Sequence, residues 1–324
     1  MIKFLDMKEK LNSQKPSAFC MFGNDAWVKK RALDNLVSIY QVDKQFGFDT
    51  LVNPTMDDLQ LACLTPSMFC PIKMVVCEDF KAFLAKPTME QKRKKTDVRS
   101  QLQKLVASAN GEFCLVIIAD DKAPFEGING MEMLDCSKLD TQSVARWIVS
   151  FAKRQNVQVD GACATRIANY CLNDMARIST ETQKLIDYGT VTLETVDLLV
   201  HKDVEYAVFH LSGSIASKNA QQAIGLYKGL VAQGEDPRGL FALLYNFYRR
   251  AYYAKTSAFS AEELAKYLSV KTSAIGFAKE IAGKYKAMQL KRALDLFGNA
   301  DQKLKAFLDE DQIMTTLIMQ LVAL

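Results

Sequence analysis

The residues closest to a phosphate-binding pattern lie between a predicted strand and a predicted helix, from Gly23 to Lys30. Nucleoside triphosphates are bound by G-x-x-x-x-G-K-[ST], in which glycines let the backbone surround the phosphates, the lysine reaches them and the hydroxyl holds magnesium. Counted from Gly23, the second glycine is Val28, the lysine is Lys29 and the hydroxyl residue is Lys30. A branched side chain hinders closure of the backbone, and an ammonium group cannot ligate a cation. We therefore predict a degenerate phosphate loop that does not bind nucleotide, and we expect no cofactor.

Acidic residues follow two further predicted strands, at positions where nucleotide hydrolases hold their metal ion. Glu78 and Asp79 follow one strand, and Asp120 and Asp121 follow another. Without a complete phosphate loop opposite them, these carboxylates have no nucleotide to activate. We interpret them as solvated charges at strand ends.

Other catalytic or metal-binding patterns are missing from the sequence. The two histidines, His201 and His210, are far in sequence from the acidic strand ends, and no H-E-x-x-H, G-x-S-x-G or dinucleotide fingerprint occurs. The eight cysteines include no Cys-x-x-Cys pair and lie mostly in apolar segments, which indicates buried thiols in a reducing compartment. We predict no catalytic residue and no metal site, and a function exerted by binding.

The composition is that of an ordinary globular protein: 324 residues, of which 49% are hydrophobic and 24% charged. Two or three domains are expected at this length. The sequence contains no apolar run of membrane-spanning length and no signal-peptide core, so we expect a soluble, cytoplasmic protein without membrane contact. The net charge of +4 permits contact with nucleic acid but does not require it.

The periodicity of the apolar residues changes near residue 140. Up to that point, short apolar runs alternate with amphipathic stretches, which predicts an α/β domain with a mostly parallel sheet. The predicted strands are residues 18–22, 48–52, 73–77, 113–118 and 133–136, with helices beginning near residues 25, 55 and 97. Helical periodicity continues from 141 to the end, with start signals at Asp160, Asp174, Thr192, Asp236-Pro237 and Ser260.

The helix predicted after Pro237 has an apolar face wider than one neighbouring helix usually requires. This face runs from Leu240 to Tyr253 and is rich in aromatic residues. It is either the core of an internal bundle or, in part, a contact with another subunit. We expect it to contribute to a contact between subunits.

Two basic clusters could contact the phosphates of DNA. One is Lys92, Arg93, Lys94 and Lys95. The other interleaves basic and aromatic side chains at Arg249, Arg250, Tyr252, Tyr253 and Lys255. Solvated surface charge is the alternative interpretation of both clusters.

Short segments in a fixed order resemble the delta subunit of the bacterial DNA polymerase III clamp loader. They are FGND at 22–25, TPSMFCP at 65–71, ETQKL at 181–185 with Tyr188, GEDP at 234–237, LAKYL at 264–268, and Asp301 with Lys305. The resemblance covers residues 19 to about 307. It implies an AAA+-like domain without a phosphate loop at 1–140, an all-α lid at 141–203 and an all-α collar that joins subunits at 204–324. The degenerate loop is then an expected feature.

The resemblance also implies a role in replication: a subunit without catalytic activity that binds the ring-shaped sliding clamp and opens it for loading onto primed DNA. Its implied partners are the clamp, the gamma/tau and delta-prime types of loader subunit, and primed DNA. The implied clamp-binding residues are Pro66, Ser67, Met68 and Phe69, with Met68 where the family often has leucine. The prolines at 66 and 71 disfavour a regular helix or a central strand, so we expect the apolar pair on a turn. The residues alone leave two alternatives for Phe69, exposure on that turn or burial in the core of its own domain, and the resemblance favours exposure. The alternatives are an AAA+ ATPase whose degenerate loop still works, and a helical scaffold unrelated to replication.

Overall fold

The structure is a computed structural model that describes residues 1–13, 15–84, 98–270, 272–306 and 309–324. The chain forms two compact units. The first comprises Met1–Ala168 and Asn173–Leu199, and the second comprises Asn169–Leu172 and Val200–Leu324. No helix in the described ranges combines the length and apolarity needed to span a membrane.

The first unit is built around a six-stranded sheet with the order β1-β6-β2-β5-β4-β3. All of its pairings are parallel. The strands are β1 (Ile2–Lys3), β2 (Ala18–Phe22), β3 (Phe48–Val52), β4 (Lys73–Glu78), β5 (Phe113–Ile118) and β6 (Met131–Asp135). The predicted α/β class is confirmed. The bounds differ at two strands: β4 ends one residue later than predicted, and β6 begins two residues and ends one residue earlier. The short edge strand β1 was not predicted.

Most helices of this part of the chain begin where the sequence signals place them, whereas the short helices Met7–Ser13 and Lys81–Leu84 were not predicted. Asp25, Asp140 and Asp174 each accept hydrogen bonds from the first turn of a helix, and Thr55 forms a capping box with Asp58. The helices are α1 (Met7–Ser13), α2 (Ala26–Tyr40), α3 (Met56–Leu64), α4 (Lys81–Leu84), α5 (Val98–Ala107), α6 (Thr141–Lys153), α7 (Gly161–Tyr170), α8 (Met175–Tyr188) and α9 (Leu193–Leu199), with 3-10 turns at Phe4–Asp6 and Ala123–Phe125.

Aromatic stacking joins the helix after β2 to the first helix beyond residue 140. The rings of Trp27 on α2 and Trp147 on α6 meet edge to face with centroids 5.2 Å apart, and Phe151 stacks on Trp147 at 4.8 Å. The helices as far as Leu199 consequently share one compact unit with the sheet. The separation of a lid at residue 140 stays a prediction.

The second unit is a helical bundle with an aromatic core. Tyr227, Tyr248 and Phe297 are fully buried, and the hydroxyls of Tyr248 and Tyr285 are 3.2 Å apart in a hydrogen bond. Burial raises the pKa of Tyr248 well above its ordinary value. The helices are α10 (Val204–Ala216), α11 (Ala220–Ala232), α12 (Pro237–Thr256), α13 (Ala261–Tyr267), α14 (Thr272–Ala282), α15 (Ala287–Lys305) and α16 (Glu310–Val322).

The expected subunit contact on α12 was wrong for most of its apolar face. Leu240, Leu244, Phe247, Tyr248 and Ala251 are all buried in the core of the unit itself. The reason is that α12 is the central helix of the bundle and packs against α10, α14, α15 and α16. A helix with neighbours on several sides needs a wide apolar face.

Because Leu244 is fully buried in this core, we expect Leu244→Ala to lower the free energy of unfolding by about 2–5 kcal/mol. Urea unfolding followed by far-ultraviolet circular dichroism would measure the change. The control is Met288→Ala, which truncates an exposed side chain on α15 and should change stability by less than about 0.5 kcal/mol. Equal effects of the two substitutions would contradict the assignment of the α12 face to the core.

Candidate functional site

The glycine of the degenerate phosphate loop has a packing role. Gly23 has a φ of 126°, and a Cβ atom placed on it would lie 2.4 Å from the carbonyl carbon of Cys136 and from the amide nitrogen of Ser137. Residues at the end of β6 therefore require a glycine here. The need is independent of any phosphate.

The amino terminus of α2, where a phosphate would bind, is capped by the side chain of Asp25. The carboxylate of Asp25 accepts a hydrogen bond from the amide of Val28 at 3.0 Å. A bound phosphate would have to displace this carboxylate or remain close to its negative charge. The side chain of Val28 is fully buried, so the position of the second glycine is filled.

The two lysines of the loop also depart from nucleotide chemistry. The ammonium of Lys29 pairs with Asp120 at 3.3 Å, and Lys30 is exposed. Glu78, Asp79 and Asp121 are exposed as well, in agreement with their interpretation as solvated charges. In the part of the chain that the structure describes, no three His, Cys, Asp or Glu residues form a potential metal site. These residues do not fit a magnesium nucleotide.

In the predicted basic and aromatic patch on α12, Arg250 is buried rather than exposed. Arg250 is only 8% exposed, and its Nε donates to the carbonyl of Asn246 at 3.2 Å. Burial lowers the pKa of this guanidinium. Its inclusion in a DNA-facing patch was therefore wrong, because α12 directs it inward. The other cluster, Lys92 to Lys95, lies outside the described residues.

The predicted clamp-binding residues lie on the connection between α3 and β4, residues 65–72, which we name the tip loop. It contains neither helix nor strand. The side chains of Met68 and Phe69 are 92% and 74% exposed. This exposure agrees with the expectation that the flanking prolines place the pair on a turn.

One hydrogen bond of Ser67 attaches the tip loop to its surroundings, and a second lies within the loop. The hydroxyl of Ser67 donates to the carbonyl of Phe46 at 2.9 Å and accepts from the amide of Phe69 at 3.3 Å. Ser67 thus links the apolar pair to the segment that precedes β3. Pro66 is exposed at the start of the loop.

Sequence reasoning missed several apolar side chains near the tip loop. The ring of Phe46 is 53% exposed, and its centroid lies 5.2 Å from that of Phe69. Leu61 and Leu64 are exposed on α3, the helix that leads into the loop. Their three-residue spacing, away from the buried Leu59, was the available signal, whereas nothing local indicated Phe46.

The architecture defines the class of the molecule: an α/β domain with a six-stranded parallel sheet, followed by helices. Residues 205–321 match the family model of the DNA polymerase III delta subunit, C-terminal domain. DNA polymerase III subunit delta of Bacillus subtilis (strain 168) is 20% identical over 325 residues, which cover 93% of this chain and 91% of that protein.

A solved structure shares the complete fold. The Bacillus subtilis DNA clamp loader delta protein superimposes with a TM-score of 0.75 at 18% sequence identity, over 99% of this chain and 100% of that one. The resemblance to the delta subunit of DNA polymerase III is thereby confirmed along nearly the whole chain.

Because Asp25 and Val28 occupy the phosphate position, we expect no saturable binding of Mg-ATP to the purified chain at concentrations up to about 1 mM. Isothermal titration calorimetry would test this, with a loader ATPase subunit that has an intact phosphate loop as the positive control. Submillimolar binding that disappears in Lys29→Ala would instead support the alternative of a working ATPase.

Proposed function

We propose that this chain is the delta subunit of a bacterial clamp loader, which binds the sliding clamp and opens its ring for loading onto primed DNA. The observation that carries the proposal is the tip loop, where two large apolar side chains are held in solvent by hydrogen bonds. Large apolar side chains exposed together mark interaction sites more often than isolated ones do. The similarity to delta subunits supports the clamp as the partner.

The free energy expected from burying the two side chains is that of an interface hot spot. Transfer of Met68 and Phe69 from water into a pocket of the clamp would contribute about 1.5–3 kcal/mol each. A pair of well-buried side chains at the centre of an interface can dominate its affinity. Phe46, whose ring contacts that of Phe69, would extend the apolar area of the contact.

Ring opening follows from a difference between two affinities. If the tip loop binds the opened clamp more tightly than the closed clamp, it shifts the population towards the open form by that difference in free energy and by no more. ATP is not needed for this step. The proposal therefore includes no catalytic activity in this chain, in keeping with a loop that does not fit nucleotide.

The remaining partners are assigned by the same proposal. The helical region from about residue 204 would act as the collar that joins gamma/tau and delta-prime types of subunit, residues 141–203 would form the lid, and primed DNA would lie within the assembled loader. Since the central face of α12 is internal, contacts between subunits must use other residues. Exposed apolar residues available in the second unit include Tyr253, Met288 and Met319.

Replacement of both tip residues, Met68→Ala with Phe69→Ala, should weaken binding to the sliding clamp of the same organism by at least about 100-fold, because about 3 kcal/mol or more of apolar burial is lost. Surface plasmon resonance with immobilised clamp would give the affinity, and circular dichroism would verify the fold. The matched control is Leu198→Ala, which removes an equally exposed apolar side chain from α9. Undiminished binding by a folded double variant would refute the contact.

A further inference from the structure

A lysine with little solvent exposure lies beneath the tip loop. Lys73 is the first residue of β4, and its side chain is 12% exposed. Its ammonium contacts the carboxylate of Asp49 at 2.7 Å, the carbonyl of Ala62 at 2.9 Å and the carbonyl of Thr65 at 3.4 Å. Neither the degenerate phosphate loop nor the apolar pair uses this group.

The three acceptors match what an ammonium group can satisfy. A lysine side chain has three N–H donors, and the carbonyls in the last turn of a helix have no partner within that helix. Ala62 belongs to the last turn of α3, whose carboxyl end also carries partial negative charge. Thr65 is the residue immediately before Pro66, so its carbonyl lies at the entrance of the tip loop.

The far part of the loop is attached to the same side of the sheet. A Cβ atom on Gly47 would lie 2.9 Å from the Sγ of Cys70, so Cys70 packs directly against this backbone. The carbonyl of Gly47 in turn accepts a hydrogen bond from the amide of Met74 at 2.7 Å. Together with the bond from Ser67 to Phe46, these contacts hold the loop at its entrance, middle and exit.

We propose that Lys73 is a positioning residue for the clamp contact. It fixes the entrance of the tip loop to α3 and β3, so that Met68 and Phe69 are ordered before the partner arrives. Preordering reduces the conformational entropy that binding would otherwise remove. The inference rests on the proposed clamp binding and adds a residue that does not itself touch the clamp.

The test is Lys73→Met, which removes the charge and the donors but keeps the length and the apolar stem. We expect binding to the clamp to weaken about tenfold, and amide hydrogen exchange at Phe69 to become faster. In a chain that already carries Met68→Ala and Phe69→Ala, the same substitution should cause no further loss of clamp affinity. A general loss of stability would lower the affinity in both backgrounds.

The matched control is Lys44→Met. Lys44 forms an ion pair of similar length with Asp34, 2.8 Å, but its side chain is 63% exposed. The control should leave both the clamp affinity and the exchange rate at Phe69 unchanged, because exposed ion pairs contribute little.

Asp49→Asn provides a second variant if Lys73→Met does not fold. The amide oxygen still accepts a hydrogen bond, so we expect a smaller effect, about two- to threefold in affinity, with faster exchange at Phe69. Unchanged exchange and affinity in this variant would overturn the inference.

The possible failures can be told apart. Normal clamp binding by Lys73→Met, alongside lost binding by the double alanine variant, overturns the positioning role and leaves the proposed function intact. Equal losses caused by Lys73→Met in both backgrounds assign it a structural role only, which also overturns the inference. Normal binding by the double alanine variant removes the proposed clamp contact, and the positioning role with it.

Discussion

The parallel hydrogen bonding of the sheet determines where the degenerate loop and the apolar tip lie. Because the strands run in one direction, their carboxyl ends share one edge, which brings the loop that begins at Gly23 close to the residues that follow β6 and β5. Residues 46 and 47 precede β3, and the tip loop precedes β4, so the apolar tip lies at the opposite edge. Helix α3 connects the two edges. The degenerate loop and the apolar tip are therefore separated by the length of the strands.

The degenerate loop preserves the form of a phosphate site while its residues serve packing. Gly23 keeps its unusual backbone because the end of β6 requires it, and Asp25 supplies to the helix the acceptor that a phosphate would provide. Lys29 pairs with Asp120, which follows the neighbouring strand β5. Contacts within the protein are thus sufficient to explain the geometry of this loop without a bound phosphate.

The sequence predicts what short-range patterns encode and misses what distant contacts decide. Strands β2, β3 and β5 were predicted correctly from their apolar runs, and the helices that begin after Asp25 and Thr55 were predicted from their capping residues. Strand β1 is too short to show a pattern. On α12, periodicity reports the width of the apolar face but not what covers it, so burial of most of this face inside the unit could not be predicted. The turn that carries Met68 and Phe69 could be predicted from the neighbouring prolines, but the prolines left open whether Phe69 is exposed or packs into the core. The contacts of Phe46 with Phe69 and of Lys73 with Asp49 could not be predicted, because they depend on the pairing of β3 with β4.

The edge-to-face contact between the two indoles of the first unit has a spectroscopic consequence. Trp27 and Trp147 are the two tryptophans of the chain, and they touch each other. Indole emission therefore reports on a single place between α2 and α6, and the helical bundle from Val200 onward contributes no indole signal. Excitation at wavelengths that only tryptophan absorbs can accordingly follow the unfolding of the first unit selectively, without any attached dye.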